Sequence, residues 1–308
     1  MSFPPDRKPA FMTSIITVAS GSSGVGKTHM AINLSLELVR RGRQVGLLHI
    51  PDGGSPVDQF IDIQPLIERR HVPEAGQGPH PVVSRGYLGI DILSCRIPLA
   101  DWPACEVETL MQCVDDMDID DGYDDFIVDT SGMGARELVG CCLASPVIML
   151  VLTPDARSQA EAFALLRVLQ LNGFDGELRL LFNRVPYAMD AHDIHCLFSN
   201  ELSQHLGMEA GSPWVMLEDP CVPRSERYRQ AFSAVYPDSE AAAAVVLLAD
   251  EIENVFNMAP SVDLREWWQR FIEVVRGEIR LPGKTLLEMQ GMEEGAAEGG
   301  VSKAAGNS

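Results

Sequence analysis

The chain has 308 residues, 46% of them hydrophobic, which is room for one large or two small domains with a substantial buried core. Its 44 acidic against 24 basic residues give a formal net charge of -20, a surface field that repels polyphosphate backbones, so nucleic acid is not an expected partner. Seven cysteines without a CxxC pair fit a reducing compartment, and no apolar run approaches the roughly 18 residues of a spanning helix. The expected location is therefore cytoplasmic.

In chain order, residues 1–13 read as an N-terminal extension without an apolar segment of signal-peptide length. From residue 14 to about 258, short runs rich in Ile, Val and Leu alternate with longer helical patterns, the rhythm of buried parallel strands with crossover helices. The expected strands are 14–20, 44–50, 86–94, 124–130, 146–153, 177–185 and 214–218, so the expected fold is α/β with a mostly parallel sheet of about seven strands. Residues 28–42, 106–117, 156–173 and 239–256 carry the i, i+3, i+4 spacing of covering helices. Residues 51–86, rich in Pro, Gly and His, have no period and read as a mobile surface segment. Residues 259–290 contain one further amphipathic helix, and 291–308 have the composition of a disordered tail.

The sharpest local signal is Gly21-Ser-Ser-Gly-Val-Gly-Lys-Thr28, which satisfies GxxxxGK[ST] between the first strand and the first helix. Glycines let main-chain N–H groups turn toward a phosphate, and the helix N-terminus adds partial positive charge. Lys27 reaches the terminal phosphates, and the Thr28 hydroxyl can hold Mg²⁺. The expected nucleotide-binding set is Gly21, Ser22, Ser23, Gly24, Val25, Gly26, Lys27, Thr28 and the following His29. Asp129 ends the fourth strand, where a carboxylate orients Mg²⁺, usually through water, because the hard cation prefers oxygen and retains hydration. The expected cofactors are ATP or ADP with Mg²⁺.

Taken together, these segments resemble the MinD/ParA family of deviant P-loop ATPases, and within it the flagellar-positioning FlhG/FleN branch. The resemblance runs over about residues 14–258: ITVASGSSGVGKTHMAINLSLELVRRGRQVGLL is similar to the family's first strand, loop, helix and second strand, and DDFIVDTSGMG to its second nucleotide motif. SPVIMLVLTPDARSQAEAFALLRVL is similar to the next strand and helix, and LEDPCVPRSERYRQAF to a base-contacting loop. In LRLLFNRV the resemblance places Asn183 and Arg184 beside the adenine.

Two departures stand out. The family's loop reads KGGxGKT, its first lysine reaching across a nucleotide-sandwiched dimer; Ser22 stands there, with Ser23 replacing a glycine. After the second strand the family carries two Asp residues two apart, the first helping to position the attacking water. His49 and Pro51 occupy those positions, and Asp52, one residue on, substitutes as a catalytic group only if the loop shifts. Loss of a cation on the transferring phosphoryl group costs on the order of 10³ in rate. The expectation is nucleotide binding with slow or partner-dependent hydrolysis: Lys27 remains, but the apparatus around it is thinned.

In the C-terminal helix, Leu264, Trp267, Trp268, Phe271, Ile272, Val275 and Ile279 share one face. Such a face can lie in a membrane interface, and the resemblance implies a membrane-targeting helix, so Trp267, Trp268 and Phe271 are the expected membrane- or partner-contacting residues. Four acidic residues cancel four arginines along it, which weakens attraction to anionic lipid and favours packing on the domain or a partner. The Asp-rich stretch 115–125 lacks a calcium loop's terminal Glu, His192 and His195 lack a third ligand, and Cys141 and Cys142 read as buried small apolar residues.

The leading expectation is an ATP-binding switch that positions or regulates a cell-surface machine, flagellar by the resemblance. It would act through protein partners, with a nucleotide-dependent homodimer and peripheral membrane contact as further associations. The alternative is a catalytically degenerate P-loop scaffold acting by protein contact. A third reading, an enzyme on a small metabolite, lacks a constellation of substrate-fixing polar groups.

Overall fold

The structure, a computed structural model, describes residues 12–49, 61, 81–95, 105–116, 122–258 and 262–277. The strands are β1 (Met12–Ala19), β2 (Val45–His49), β3 (Pro81–Tyr87), β4 (Ile90–Cys95), β5 (Asp125–Asp129), β6 (Val147–Leu152), β7 (Glu177–Val185), β8 (Trp214–Leu217) and β9 (Val262–Asp263). The helices are α1 (Lys27–Arg40), α2 (Val107–Asp116), α3 (Ala135–Ala144), α4 (Ala156–Leu171), α5 (Ala188–Leu206), α6 (Cys221–Glu226), α7 (Phe232–Val235), α8 (Glu240–Met258) and α9 (Leu264–Val275).

The sheet runs β3-β4-β2-β5-β1-β6-β7-β8, with β9 paired to the start of β1. Every neighbour from β4 to β8 is parallel, which gives the seven-stranded parallel sheet the sequence rhythm implies. Only β3 and β9 run antiparallel to their partners.

Side chains alternate across the sheet, and both faces are covered. Ile16, Val18, Leu47, Ile127, Met149 and Val151 pack with α1 and α8. On the opposite face, Ile15, Leu48, Phe126 and Val128 meet α2, α3 and α9, while Leu150, Leu152, Leu180 and Phe182 meet α4 and α5. The helical face of α1 is pinned by Asn33, whose Oδ1 accepts from the Ser233 N–H at 2.9 Å.

Four expectations are corrected. Residues 86–94 are not one strand: Tyr87 pairs with Ile90 across a two-residue turn in which Leu88 and Gly89 both have positive φ (51° and 96°), the backbone a tight hairpin demands. A leucine in the first turn position hides this hairpin from composition. Residues 81–86, expected in the aperiodic segment, belong to β3. Cys141 and Cys142 are fully buried, as expected, within α3, but the helices α3 and α5 themselves were not anticipated.

The fourth correction concerns α9. Trp267, Trp268 and Phe271 are 0% exposed and lie in the core with Phe126 and Cys141, so they are not a membrane- or partner-facing set. Trp267 stacks on Phe271 at 5.5 Å between ring centroids, meets Phe126 edge-on, and donates its indole N–H to Ser145 Oγ at 2.8 Å. Gly140 of α3 permits this approach, because a Cβ there would stand 3.1 Å from the Phe271 ring. Asp263 caps α9 by accepting from the Arg265 N–H at 2.8 Å, and the Arg265 guanidinium forks onto Asp115 of α2. The apolar stripe of α9 thus covers the sheet face that carries Ile15, Phe126 and Val128. Among the described residues, no helix is long and apolar enough to cross a membrane.

Candidate functional site

The loop between β1 and α1 lies at the carboxyl end of the central strand, flanked by the ends of β5 and β6, the place where open α/β sheets bind ligands. Gly24 and Gly26 have φ of 68° and 103°. At Gly26 a Cβ would also strike the Asn183 amide, so this position needs glycine for conformation and for space. A Cβ on Gly21 would collide with the Glu161 carbonyl of α4. The loop is thus a turn from which side-chain bulk is excluded, opening directly into α1. No side chain caps the first turn of α1 and no acidic residue stands in it, leaving N–H groups and partial positive charge for an anion.

Lys27 is buried and donates from Nζ to the Ser22 carbonyl at 2.8 Å. Burial lowers its pKa, with the Asp129 carboxylate pulling the other way. Thr28 Oγ1 donates to Ser131 Oγ at 2.8 Å, and the Ser131 N–H donates to Asp129 Oδ1 at 3.1 Å. The expected hydroxyl and carboxylate therefore stand within one hydrogen-bonded chain. Asp129 Oδ2 lies 3.2 Å from His49 Nδ1, both side chains being fully buried. Burial alone would raise the Asp129 carboxyl; bonding and charge from His49, with bonds from Ser131 and Thr28, overcome it and hold the group below the ordinary aspartate value.

The far rim comes from β7. Asn183 Nδ2 donates to the Val25 carbonyl at 2.7 Å, and Arg184, itself at φ 56°, donates from Nη2 to the Gly24 carbonyl at 2.7 Å. Both residues that the resemblance places near the base thus touch the loop. His29 Nε2 pairs with Glu226 of α6 at 2.9 Å. Burial lowers the His29 pKa against the opposing pull of Glu226. Ser22 directs its hydroxyl to Glu161, whose other oxygen accepts from Arg157 at 2.7 Å. Ser23 is exposed at the tip and Val25 is buried beneath it. Asp52 and Pro51 lie outside the described residues.

Glu161, Ser131 and Glu226 were missed by sequence reasoning. Ser131 follows Asp129 by two residues and was available from the motif; Glu161 and Glu226 are brought in from 139 and 197 residues away and carry no local signature.

The oxygen donors of Thr28 and Asp129 are hard ligands of the kind Mg²⁺ takes, and the glycine cradle beside Lys27 fits a polyphosphate, so the residues present suit a magnesium nucleotide. Among the described residues, no group of three or more His, Cys, Asp or Glu could hold a metal ion, so the remaining ligands of such a cation would be phosphate oxygens and water.

Residues 12–101 match the ParA family model, described as an NUBPL iron-transfer P-loop NTPase. The chain is 25% identical over 247 residues to the antiactivator FleN of Pseudomonas aeruginosa, covering 78% of this chain and 86% of that protein. It is 26% identical over 179 residues to the flagellum site-determining protein YlxH of Helicobacter pylori, covering 56% of this chain and 58% of that one. Among solved structures it is similar to MinD of Aquifex aeolicus (TM-score 0.56, 18% identity, 79% of this chain and 97% of that one). It is also similar to MinD of Pyrococcus horikoshii complexed with Mg-ADP (TM-score 0.54, 18% identity, 80% and 98%). The chain thus matches the ParA P-loop NTPase family model over residues 12–101, takes the fold of MinD, and is similar in sequence to FleN and YlxH.

Proposed function

We propose that the chain is a nucleotide-dependent switch that binds ATP or ADP with Mg²⁺, hydrolyses ATP slowly or only with a partner, and regulates or positions a cell-surface machine of flagellar type. The observation that carries this reading is a division within one site. The parts that grip a polyphosphate are together: the uncapped start of α1, Lys27, Thr28 and, through Ser131, Asp129. The parts that would speed cleavage are replaced: Ser22 is tied to Glu161, and His49 is tied to Asp129.

When bound, Mg²⁺ would neutralise charge between the terminal phosphates. In this reading Lys27 exchanges the Ser22 carbonyl for phosphate oxygen, Thr28 and Asp129 serve the cation, and Asn183 and Arg184 line the base side of the loop. The relatives whose names refer to flagellar siting and antiactivation support a regulatory output made by protein contact. The location in this reading is the cytoplasm; any membrane contact would use residues other than the buried face of α9.

The second reading, a scaffold that holds nucleotide permanently or not at all, is favoured by the Ser22–Glu161 contact, which puts a carboxylate where the family's cation would project. Titration of the full chain with a fluorescent ATP analogue, phosphate release, and molecular mass in ATP against ADP separate the two. Saturable binding, slow release and an ATP-dependent change in mass or partner affinity are expected. Binding without any such change supports the scaffold; brisk turnover by the isolated chain overturns the weak-hydrolase part.

A further inference from the structure

Arg41, Arg43, Arg157, Arg179 and Arg265 each pair with a carboxylate of this acidic chain. Arg224 of α6 and Arg227 directly after it are exposed, and neither forms an ion pair with a described residue. Asp219 feels the charge of Arg224 but does not bond to it. The Arg227 N–H donates to the Arg224 carbonyl at 3.3 Å, so the two side chains leave the same face one helical turn apart. Like charges at that spacing repel, a cost that an anion joining them would remove. Arg167 and Arg270 are exposed without such a pair too, but each stands singly on its own helix.

Beside the two guanidiniums lies Tyr228, 61% exposed, its N–H held by the Ser225 carbonyl at 2.9 Å. Arginine and tyrosine are the side chains that carry most binding energy in protein interfaces. The surface beneath them is already set. Ser225 is fully buried and donates to the Val222 carbonyl at 2.7 Å, and Asp219 ties Cys221 to Ala241 at the start of α8. A preformed surface loses little further freedom on binding.

Two guanidinium forks match carboxylates, each of which can accept two parallel N–H bonds. The basic surface is also narrow. Asp238 and Glu240, both exposed, stand where Asp219 joins α6 to α8, and the whole chain carries a charge of -20. A nucleic acid or an anionic membrane would extend its charge over these acids and be repelled, whereas a short acidic segment can seat its carboxylates on the arginines alone.

We propose that Arg224, Arg227 and Tyr228 form a docking surface for an acidic peptide segment of a protein partner. The surface lies beside the nucleotide site, since Glu226, between the two arginines, pairs with His29 next to Thr28. It rests on the protein-contact output proposed above and deepens it by naming the surface and the chemistry of the partner.

The test uses the full chain and a fluorescein-labelled oligoglutamate peptide, followed by anisotropy at low salt. Saturable binding is expected, weakening as salt is added. The double variant Arg224→Glu/Arg227→Glu should lose about tenfold or more in affinity, and Tyr228→Ala about threefold. Arg167→Glu/Arg270→Glu makes the same change in net charge elsewhere and should stay within about twofold of wild type. No saturable binding by the wild-type chain overturns the proposal, as do equal losses in the two double variants, which mark an effect of overall charge. Tighter binding of oligothymidylate or of phosphatidylserine vesicles than of the peptide, lost in Arg224→Glu/Arg227→Glu, overturns the assignment to an acidic peptide. If the charge reversal fails to fold, Arg224→Gln/Arg227→Gln decides: a folded variant with wild-type peptide affinity overturns the proposal, and one with weakened affinity supports it. Titration with a fluorescent ADP analogue keeps the two readings apart. Peptide binding without nucleotide binding supports this surface while the nucleotide switch falls; nucleotide binding without peptide binding overturns this surface alone.

Discussion

The phosphate-loop edge of the sheet and the α9 face beneath it are both densely buried, yet one is polar and held open by bonds to itself while the other is apolar and closed. Around the loop, Lys27, Thr28, Asp129, His49 and Asn183 are buried polar groups whose partners are one another, Ser131 or loop carbonyls. Around α9, two indoles and a phenyl ring fill the space between Phe126 and Cys141, with one hydrogen bond from Trp267 to Ser145. Apolar contacts are satisfied wholly by folding. Buried polar groups cost stability unless paired, and those near the loop are paired in ways a ligand can replace.

The comparison breaks most visibly at Trp267. Replacing it with alanine removes a fully buried indole, its stack on Phe271 and the bond to Ser145, and is expected to cost about 3–5 kcal/mol of stability. Urea denaturation reads the loss directly, and a membrane-facing helix would give almost none. Vesicle sedimentation of the intact chain provides the converse check: no binding through this face is expected while the fold is intact. Lys27→Ala has the opposite profile. Burial already disfavours the Lys27 ammonium, so the unliganded variant is expected to unfold at the wild-type urea concentration or slightly above it, while nucleotide affinity falls by about 2 kcal/mol, roughly thirtyfold. Equal losses of stability and affinity would show that the two regions are not distinct in kind.

The same contrast explains what could be read in advance. The loop was legible because its chemistry is written in eight consecutive residues between a strand and a helix, and backbone geometry there is nearly fixed by glycine. Asp129 was legible from its place at a strand end. Glu161 and Glu226 were not, since Glu161 meets Ser22 of the loop and Glu226 meets His29 of α1 only through tertiary packing of α4 and α6. The apolar period of α9 was legible as a face, but periodicity states that a face must be covered and never by what. Its cover is set by Gly140 on α3, six residues past the second nucleotide motif, where absence of a side chain lets Phe271 approach. The hairpin at Leu88–Gly89 was hidden for a related reason: the turn is enforced by pairing of Tyr87 with Ile90 and overrides the local preference of leucine.

The smallest effect tests whether the site edge extends beyond the loop itself. Asp219, between β8 and α6, accepts from the Cys221 N–H at 2.7 Å and from the Ala241 N–H at 3.0 Å, joining the segment that carries Glu226 to the start of α8. Partial burial pushes its carboxyl up, but these main-chain donors outweigh that and leave it below the ordinary aspartate value. A depressed folded-state value means the contribution to stability is complete above the unfolded-state pKa, near 4, and is lost as pH falls through the folded one. Asp219→Asn should therefore cost about 1 kcal/mol at pH 7. Its deficit relative to wild type should shrink as pH is lowered past about 4, where the wild-type carboxyl takes up its proton. Urea midpoints for both proteins across that range measure the gap. A deficit that persists undiminished to the lowest pH would mean that Asp219 acts by shape and not by charge in joining the segment that carries Glu226 to α8.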